Sequence, residues 1–260
     1  MIPNILSIAG TDCTGGAGIQ ADIKAISANS GYAMSVITAV VAQNTQGVQQ
    51  IQMMSTEMVR AQLDSVFNDV RVDAVKIGML GTAEIIRCVA DALKAYQPKK
   101  VVLDPVMVAK SGDRLLDADA LSAMRELLPQ TGLITPNLPE AADLLGVTEA
   151  KSREEMITQA QQLAVPTFLK GGHLQQDESP DLLSTDGQLH WFESARINTK
   201  NSHGTGCTLS AAIATYWGRG DALEVACEKA KTYLTGALRG ADKLDVGQGQ
   251  GPVHHFYEFY

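Results

Sequence analysis

The sequence predicts an α/β protein with a central, mostly parallel sheet covered by helices on both faces, an α/β/α arrangement of three layers. Short β-branched runs alternate with helix-length amphipathic segments. No linker, repeat or low-complexity tract interrupts them, and 45% of the 260 residues are hydrophobic, enough for one large core. A single domain over residues 1–260 is therefore expected.

Taken in order, the strands fall at 5–9 (ILSIA), 35–41 (SVITAVV), 74–77 (AVKI), 101–103 (VVL), 132–135 (GLIT) and 167–169 (TFL). Each is a short apolar run bounded by polar or glycine residues. Helices are expected between them near 17–30, 56–69, 82–96, 117–128, 138–146 and 152–164. A hairpin follows at 181–184 and 189–192, with Asp186-Gly187 supplying the left-handed turn. Helices at about 205–217 and 221–240 complete the fold.

Composition narrows the partner. The net charge is −8 with no cluster of Lys or Arg, which argues against nucleic acid and anionic membrane and favours a small molecule. Cys13, Cys88, Cys207 and Cys227 form no CxxC pair, which fits a reducing compartment. The start MIPNILSIAG has no basic region, and no apolar run approaches a membrane span, so a cytoplasmic location is expected.

Ligands of open parallel sheets bind beyond the carboxyl ends of the strands, and each predicted strand here runs into polar or glycine residues. The first leads to Gly10 and Asp12 and then CTGGAG, the second to Gln43-Asn44, the third to Gly78-Met79 and the fourth to Asp104. The fifth leads to Asn137 with Glu140 one turn on, the sixth to Lys170-Gly171-Gly172-His173. Any one of these would more often be a cap or turn former. Their recurrence at every strand end points to one crevice, and Asp22 on the first helix is expected to reach the same pocket.

The most specific stretch is 201–207, NSHGTGC, followed by TLSAAIA. Gly204 and Gly206 let successive backbone N–H groups converge on one centre, a cradle suited to phosphate at the positive end of the helix that follows. Cys207 at that end is expected to shift toward thiolate and act as base or nucleophile. The bland reading, a small buried cysteine in a glycine turn, is weakened by the GTG frame.

Other motifs are excluded. Gly16-Ala17-Gly18-Ile19-Gln20-Ala21 satisfies a relaxed dinucleotide pattern, but it lies several residues beyond its strand, and the second strand ends without an acidic ribose partner. There is no G-x-x-x-x-G-K-[ST], no H-E-x-x-H and no Cys/His quartet. Asp104 and Glu140 are hard oxygen ligands of the kind that hold hydrated Mg²⁺ beside nucleotide phosphates near Lys170.

The segments SIAGTD, VITAVVAQNTQGV, KIGML, VVLDPVM, LITPNLPEA, LKGGH, KNSHGTGCTLSAAIA and GPVHHF together resemble the hydroxymethylpyrimidine/phosphomethylpyrimidine kinases of thiamin biosynthesis, within the ribokinase-like superfamily. The resemblance covers essentially the whole chain. It implies a ribokinase-like three-layer fold, a homodimer, and transfer of phosphate from MgATP to 4-amino-5-hydroxymethyl-2-methylpyrimidine and then to its monophosphate. It further implies that Gln43 hydrogen-bonds the aminopyrimidine in a pocket lined by Gly10, Asp22, Val41, Met79 and Val106. Gly204, Thr205 and Gly206 would form the anion hole, and Lys170 would hold the transferring phosphate. Asn137, Glu140 and Asp104 would support Mg²⁺ through water, and Cys207 would sit beside the acceptor hydroxyl. The chain departs from the family pattern at Cys13-Thr14, where Pro-Ser is usual, and in a shortened stretch before Lys170. A vitamin B6 kinase is the neighbouring alternative, since pyridoxal also carries a hydroxymethyl group. A catalytically silent pyrimidine sensor is the alternative from another class.

Overall fold

The computed structural model describes residues 1–107, 118–172, 174 and 179–260. The polarity and glycine of the sequence near residues 105–115 would permit a mobile lid over the site; of these, 108–115, with Lys110 to Asp113, lie outside the described residues, as does His173.

Six strands run parallel: β1 (Asn4–Ala9), β2 (Tyr32–Ile37), β5 (Ala74–Ile77), β6 (Val101–Leu103), β7 (Leu133–Ile134) and β8 (Thr167–Lys170). The antiparallel strands β9 (Asp181–Thr185) and β10 (Gln188–Phe192) extend that sheet on one edge, giving the order β10-β9-β8-β7-β6-β5-β1-β2. The β9–β10 turn uses Asp186 (φ 50°) and Gly187 (φ 75°), the left-handed pair expected for a tight hairpin.

Alternation along each strand divides the interior into two cores. Leu6, Ile8, Val75, Ile77, Leu103, Ile134 and Leu169 face one layer of helices: α2 (Thr56–Phe67), α3 (Ala83–Tyr96), α4 (Ala118–Leu127), α5 (Leu138–Leu145) and α6 (Arg153–Gln162). Ile5, Ala74, Val102, Leu133 and Phe168 face the other: α1 (Gly18–Ala28), α7 (Thr205–Arg219) and α8 (Leu223–Gly240). A period of two, with apolar residues on both faces, is what a sheet buried on both sides requires. Polar starts fix the helices: Ser55, Thr82 and Ser152 each accept a bond from a first-turn amide, and Gly146 ends α5 in the left-handed conformation.

One expectation is corrected. Residues 35–41 are not one strand. β2 starts earlier and stops at Ile37, and the chain then leaves the sheet as β3 (Ala39–Asn44), which pairs antiparallel with β4 (Gly47–Met53) in a separate hairpin. Thr38 is the pivot. Its N–H donates to Ala9 O (3.0 Å), its hydroxyl to Met79 O (2.7 Å), and its carbonyl accepts from Met54 N (2.9 Å). Gln43-Asn44 therefore ends a hairpin strand, not a strand of the main sheet. β4 gave no strand signal because GVQQIQM carries glutamines on both faces.

Candidate active site

The carboxyl ends of β1, β5, β6 and β8 open into one cavity of about 1610 Å³. Gly10 follows β1, Met79 follows β5, Asp104 and Val106 follow β6, and Lys170 ends β8; all four strand ends reach its wall. Val41 and Gln43 reach it from the β3–β4 hairpin, Asn137 and Glu140 from the start of α5, and Gly204 to Cys207 from the start of α7. A further lobe of the same cavity runs along residues 194–200 to Lys231 and Leu238 of α8, a region the sequence did not single out.

Asp22 is the exception among the expected pocket residues. It does not line the cavity; its side chain is fully buried, bonded through both oxygens to Lys76 Nζ (2.8 and 2.9 Å) and accepting from Ser7 Oγ (2.5 Å). Burial opposes the Lys76 charge, yet the Asp22 carboxylate, with Asp104 behind it, holds the ammonium above the ordinary lysine range. Ser7 and Lys76 are directly paired across β1 and β5 and both reach Asp22 of α1, so the cluster lies between the sheet and that helix. A lysine in the otherwise apolar AVKI was the available signal.

At the start of α7, Gly204 takes a left-handed conformation (φ 76°) and caps the helix, its carbonyl receiving Thr208 N (2.9 Å). A Cβ there would lie 1.8 Å from Gly16 O, so glycine is required twice over, by conformation and by space. A Cβ on Gly206 would lie 3.1 Å from Asp104 Oδ2 and 3.3 Å from Lys170 Nζ. The first-turn amides and the positive end of a 15-residue helix thus face the Lys170–Asp104 pair at close range.

Lys170 Nζ lies 3.0 Å from Asp104 Oδ1 and 3.8 Å from Glu140 Oε2. Burial disfavours its charge, but Asp104 and Glu140 outweigh that and hold it well above the usual lysine range. Thr135 Oγ1 donates to Asp104 Oδ1 (3.1 Å). Asn137 and Glu140 form a reciprocal capping box on α5, each side chain accepting the other's backbone N–H at 2.8 Å. Burial pushes the Glu140 carboxyl up to about 7; Lys170 opposes this and Asp104 adds to it. Among the described residues no group of three or more His, Cys, Asp or Glu is arranged to hold a metal ion by itself.

The expected Cys207 thiolate is also corrected. Burial pushes the thiol up to about 11, with Lys76 opposing and Asp22 and Asp104 reinforcing. Desolvation outweighs the helix end here, and the resting group is a thiol.

Sequence reading also missed what joins these parts. Asp12 is fully buried and accepts from Thr14 N and Oγ1, from the amides of Gly16 and Ala17, and from His203 Nε2 (2.8 Å). At the tip of the β3–β4 hairpin, Thr45 O accepts from Gln250 N (2.9 Å) and Thr45 Oγ1 from Gly249 N (3.0 Å). His203 N donates to Gly251 O (3.0 Å). The glycine-rich stretch 247–252 is thus a strap between the hairpin and the segment entering α7. Exposed Cys13 donates to Gln43 O (2.9 Å), so the departure at this position contacts the hairpin directly.

Residues 12–254 match the family described as phosphomethylpyrimidine kinase. The chain is 52% identical over 262 residues to the hydroxymethylpyrimidine/phosphomethylpyrimidine kinase of Escherichia coli K12, covering 99% of this chain and 98% of that one. Its structure resembles phosphomethylpyrimidine kinase from Clostridium difficile 630, with TM-score 0.81 and 38% identity over 91% of this chain and 99% of that one. It also resembles an ADP complex of Bacillus subtilis pyridoxal kinase, with TM-score 0.91 and 36% identity over 98% of each chain. The helix-end cradle, the Lys170–Asp104 pair and these full-length matches lead to one conclusion: the chain belongs to the phosphomethylpyrimidine kinase family.

Proposed function

We propose that the protein transfers phosphate from ATP to 4-amino-5-hydroxymethyl-2-methylpyrimidine and then to its monophosphate, in thiamin biosynthesis. The observation that carries this reading is the approach of Gly206 to Lys170 and Asp104 at the positive end of α7, with Cys207 beside it and Gln43 on the same cavity.

Phosphoryl transfer depends on alignment and on neutralising charge spread over the phosphoryl oxygens. The amides around Gly204 to Gly206 receive those oxygens and Lys170 balances their charge. Gln43, able to donate and accept at once, reads the aminopyrimidine edge. Gly10, Val41, Met79 and Val106 enclose the ring, and Asp22 acts from beneath through Lys76. Cys207, as a thiol, orients the acceptor hydroxyl, which keeps its proton until late in a loose transition state. The lobe between residues 194–200 and α8 takes the nucleotide.

The donor set fits Mg²⁺, which keeps several waters and takes one or two carboxylates together with phosphate oxygens. Asp104 and Glu140, with Asn137, would hold it through water, and the Glu140 carboxyl, pushed up to about 7 by burial, would be held as the carboxylate beside a cation. When bound, the ion would supply neutralisation of phosphate charge.

We read residues 1–260 as one kinase domain, since both cores draw on elements from across the chain. Among the described residues no helix is long and apolar enough to cross a membrane, in keeping with a cytoplasmic enzyme. The proposal includes a homodimer; the β3–β4 hairpin leaves Val40 50% exposed, an apolar position for such a contact. Sedimentation velocity tests it, a species of twice the chain mass being expected.

The TM-score of 0.91 to a pyridoxal kinase favours vitamin B6 phosphorylation as the second reading. ATP consumption with Mg²⁺ is the deciding measurement, with hydroxymethylpyrimidine, its monophosphate, pyridoxal or no acceptor supplied separately. Turnover with both pyrimidines and little with pyridoxal is expected. Turnover with pyridoxal alone moves the protein to vitamin B6 salvage, and none returns it to a ligand-sensing role.

A further inference from the structure

The loop after β1 and the segment entering α7 come from opposite parts of the sequence, yet they are built as one piece. Asp12 Oδ2 accepts from Gly16 N (3.1 Å), Ala17 N (2.7 Å) and His203 Nε2 (2.8 Å), while Oδ1 accepts from Thr14 N (2.9 Å) and Thr14 Oγ1 (2.7 Å). The His203 ring packs so closely on the loop that a Cβ on Gly16 would lie 2.6 Å from its Cδ2. The next residue, Gly204, abuts Gly16 O, and the other flank of His203 is held by the Gly251–Pro252 strap. Burial disfavours the Asp12 charge, but hydrogen bonding by His203, Thr14 and Gln43 overrides it and keeps the carboxyl well below the usual range.

Asp12 therefore touches both halves of the reaction. Ala17 and Gly18 at the end of its loop line the cavity, and Gln43 reads the acceptor; His203 leads straight into the anion cradle at Gly204. Resting on the kinase reading above, we propose that His203 is a positioning residue: through Asp12 it locks the acceptor-side loop to the anion hole and so fixes the distance between the acceptor hydroxyl and the transferring phosphoryl group.

Amide substitutions separate this role from space-filling. The bond to Asp12 uses Nε2, the far ring nitrogen. The amide nitrogen of His203→Gln reaches that position, whereas that of His203→Asn stops short of it. Steady-state kinetics with ATP and hydroxymethylpyrimidine, together with thermal midpoints, read the difference. His203→Asn is expected to lose about 10–100-fold in kcat, the cost of misplacing reactants by about 1 Å, with both KM values within about three-fold of the parent. His203→Gln recovers most of that loss. Asp12→Asn combined with His203→Asn costs little more than either alone, because the two act through one bond. Equal kcat for His203→Asn and the parent overturns the proposal, as does a rise in KM with kcat held, or a His203→Gln enzyme as slow as His203→Asn although folded. The parent enzyme is the control. No turnover by the parent sinks the kinase reading itself, whereas an active parent with an undiminished His203→Asn variant sinks the latch alone.

Discussion

Gly206→Ala isolates the chemistry of the anion cradle from the stability of the fold. Gly206 is the second residue of α7 and its φ is not in the left-handed region, so alanine meets no backbone penalty. Alanine is the better helix former by up to about 1 kcal/mol, so the melting temperature should hold or rise slightly. The new methyl, however, would stand 3.1 Å from Asp104 Oδ2 and 3.3 Å from Lys170 Nζ. Those atoms must yield by a few tenths of an ångström, and the methyl takes space needed by the phosphoryl oxygens. Alanine keeps the backbone N–H, so the loss comes from displacement of the phosphoryl group: a misplacement of about 1 Å costs on the order of 10² in rate, equivalent to about 2.7 kcal/mol of transition-state stabilisation. A coupled ATP-consumption assay at saturating substrates, paired with a thermal melt, should show a stable enzyme slowed by that factor. Gly204→Ala is the contrasting control, since its Cβ would collide with Gly16 O at 1.8 Å from a left-handed backbone, and the thermal midpoint itself should fall. A Gly206→Ala enzyme within two-fold of the parent kcat would refute the placement of the transferring phosphate at this helix end.

The remaining expectations concern groups already placed. Lys170→Ala should lower kcat by about 10²–10³, and Cys207→Ala should lower kcat while nucleotide affinity, measured by calorimetry, stays near normal. Glu140→Gln should raise the Mg²⁺ concentration for half-maximal rate by about ten-fold or more, as found when a metal site loses a supporting group; an unchanged Mg²⁺ titration would remove Glu140 from that role. His255 gives a pH signature: burial, with lesser contributions from Lys24 and His254, lowers its pKa from 6.5 to about 3. The folded chain keeps this ring neutral while the unfolded chain binds a proton below pH 6.5, so stability is lost as pH falls through that value, by about 2 kcal/mol at about pH 5. Because the Glu140 carboxyl, held up to about 7 in the folded chain, gains stability over the same interval, the signature is a difference: between pH 7 and 5 denaturant melts should show the parent losing about 2 kcal/mol relative to His255→Asn.

The residues at the strand ends were legible because topology alone carries them to one place. Parallel strands of one sheet must deliver Asp104 and Lys170 to the same edge, and the two glycines of GTG announce a cradle wherever the helix lies. The misplaced residues depended on contacts distant in sequence. Asp22 turned inward because Lys76 and Ser7 wait beneath α1. Residues 35–41 looked like one strand because a single threonine, bonded to Ala9, Met79 and Met54, redirects an apolar run without changing its composition. Cys207 sat at the helix end as expected, but a dipole effect of about 0.3–2 kcal/mol could not offset its burial. The Asp12–His203 bond spans 191 positions, and nothing local to either residue names the other.

That separation has a consequence for synthesis of the chain. Asp12 is made early, and Gly251 and Pro252 some 240 residues later, roughly 12–50 s at about 5–20 residues per second. Until the strap arrives, the hairpin tip at Thr45 and the backbone at His203 lack the partners that Gly249, Gln250 and Gly251 provide. A nascent chain can therefore stack its parallel strands before the hairpin is tied to the segment entering α7, and the contacts that join those two walls of the cavity form after the sheet itself.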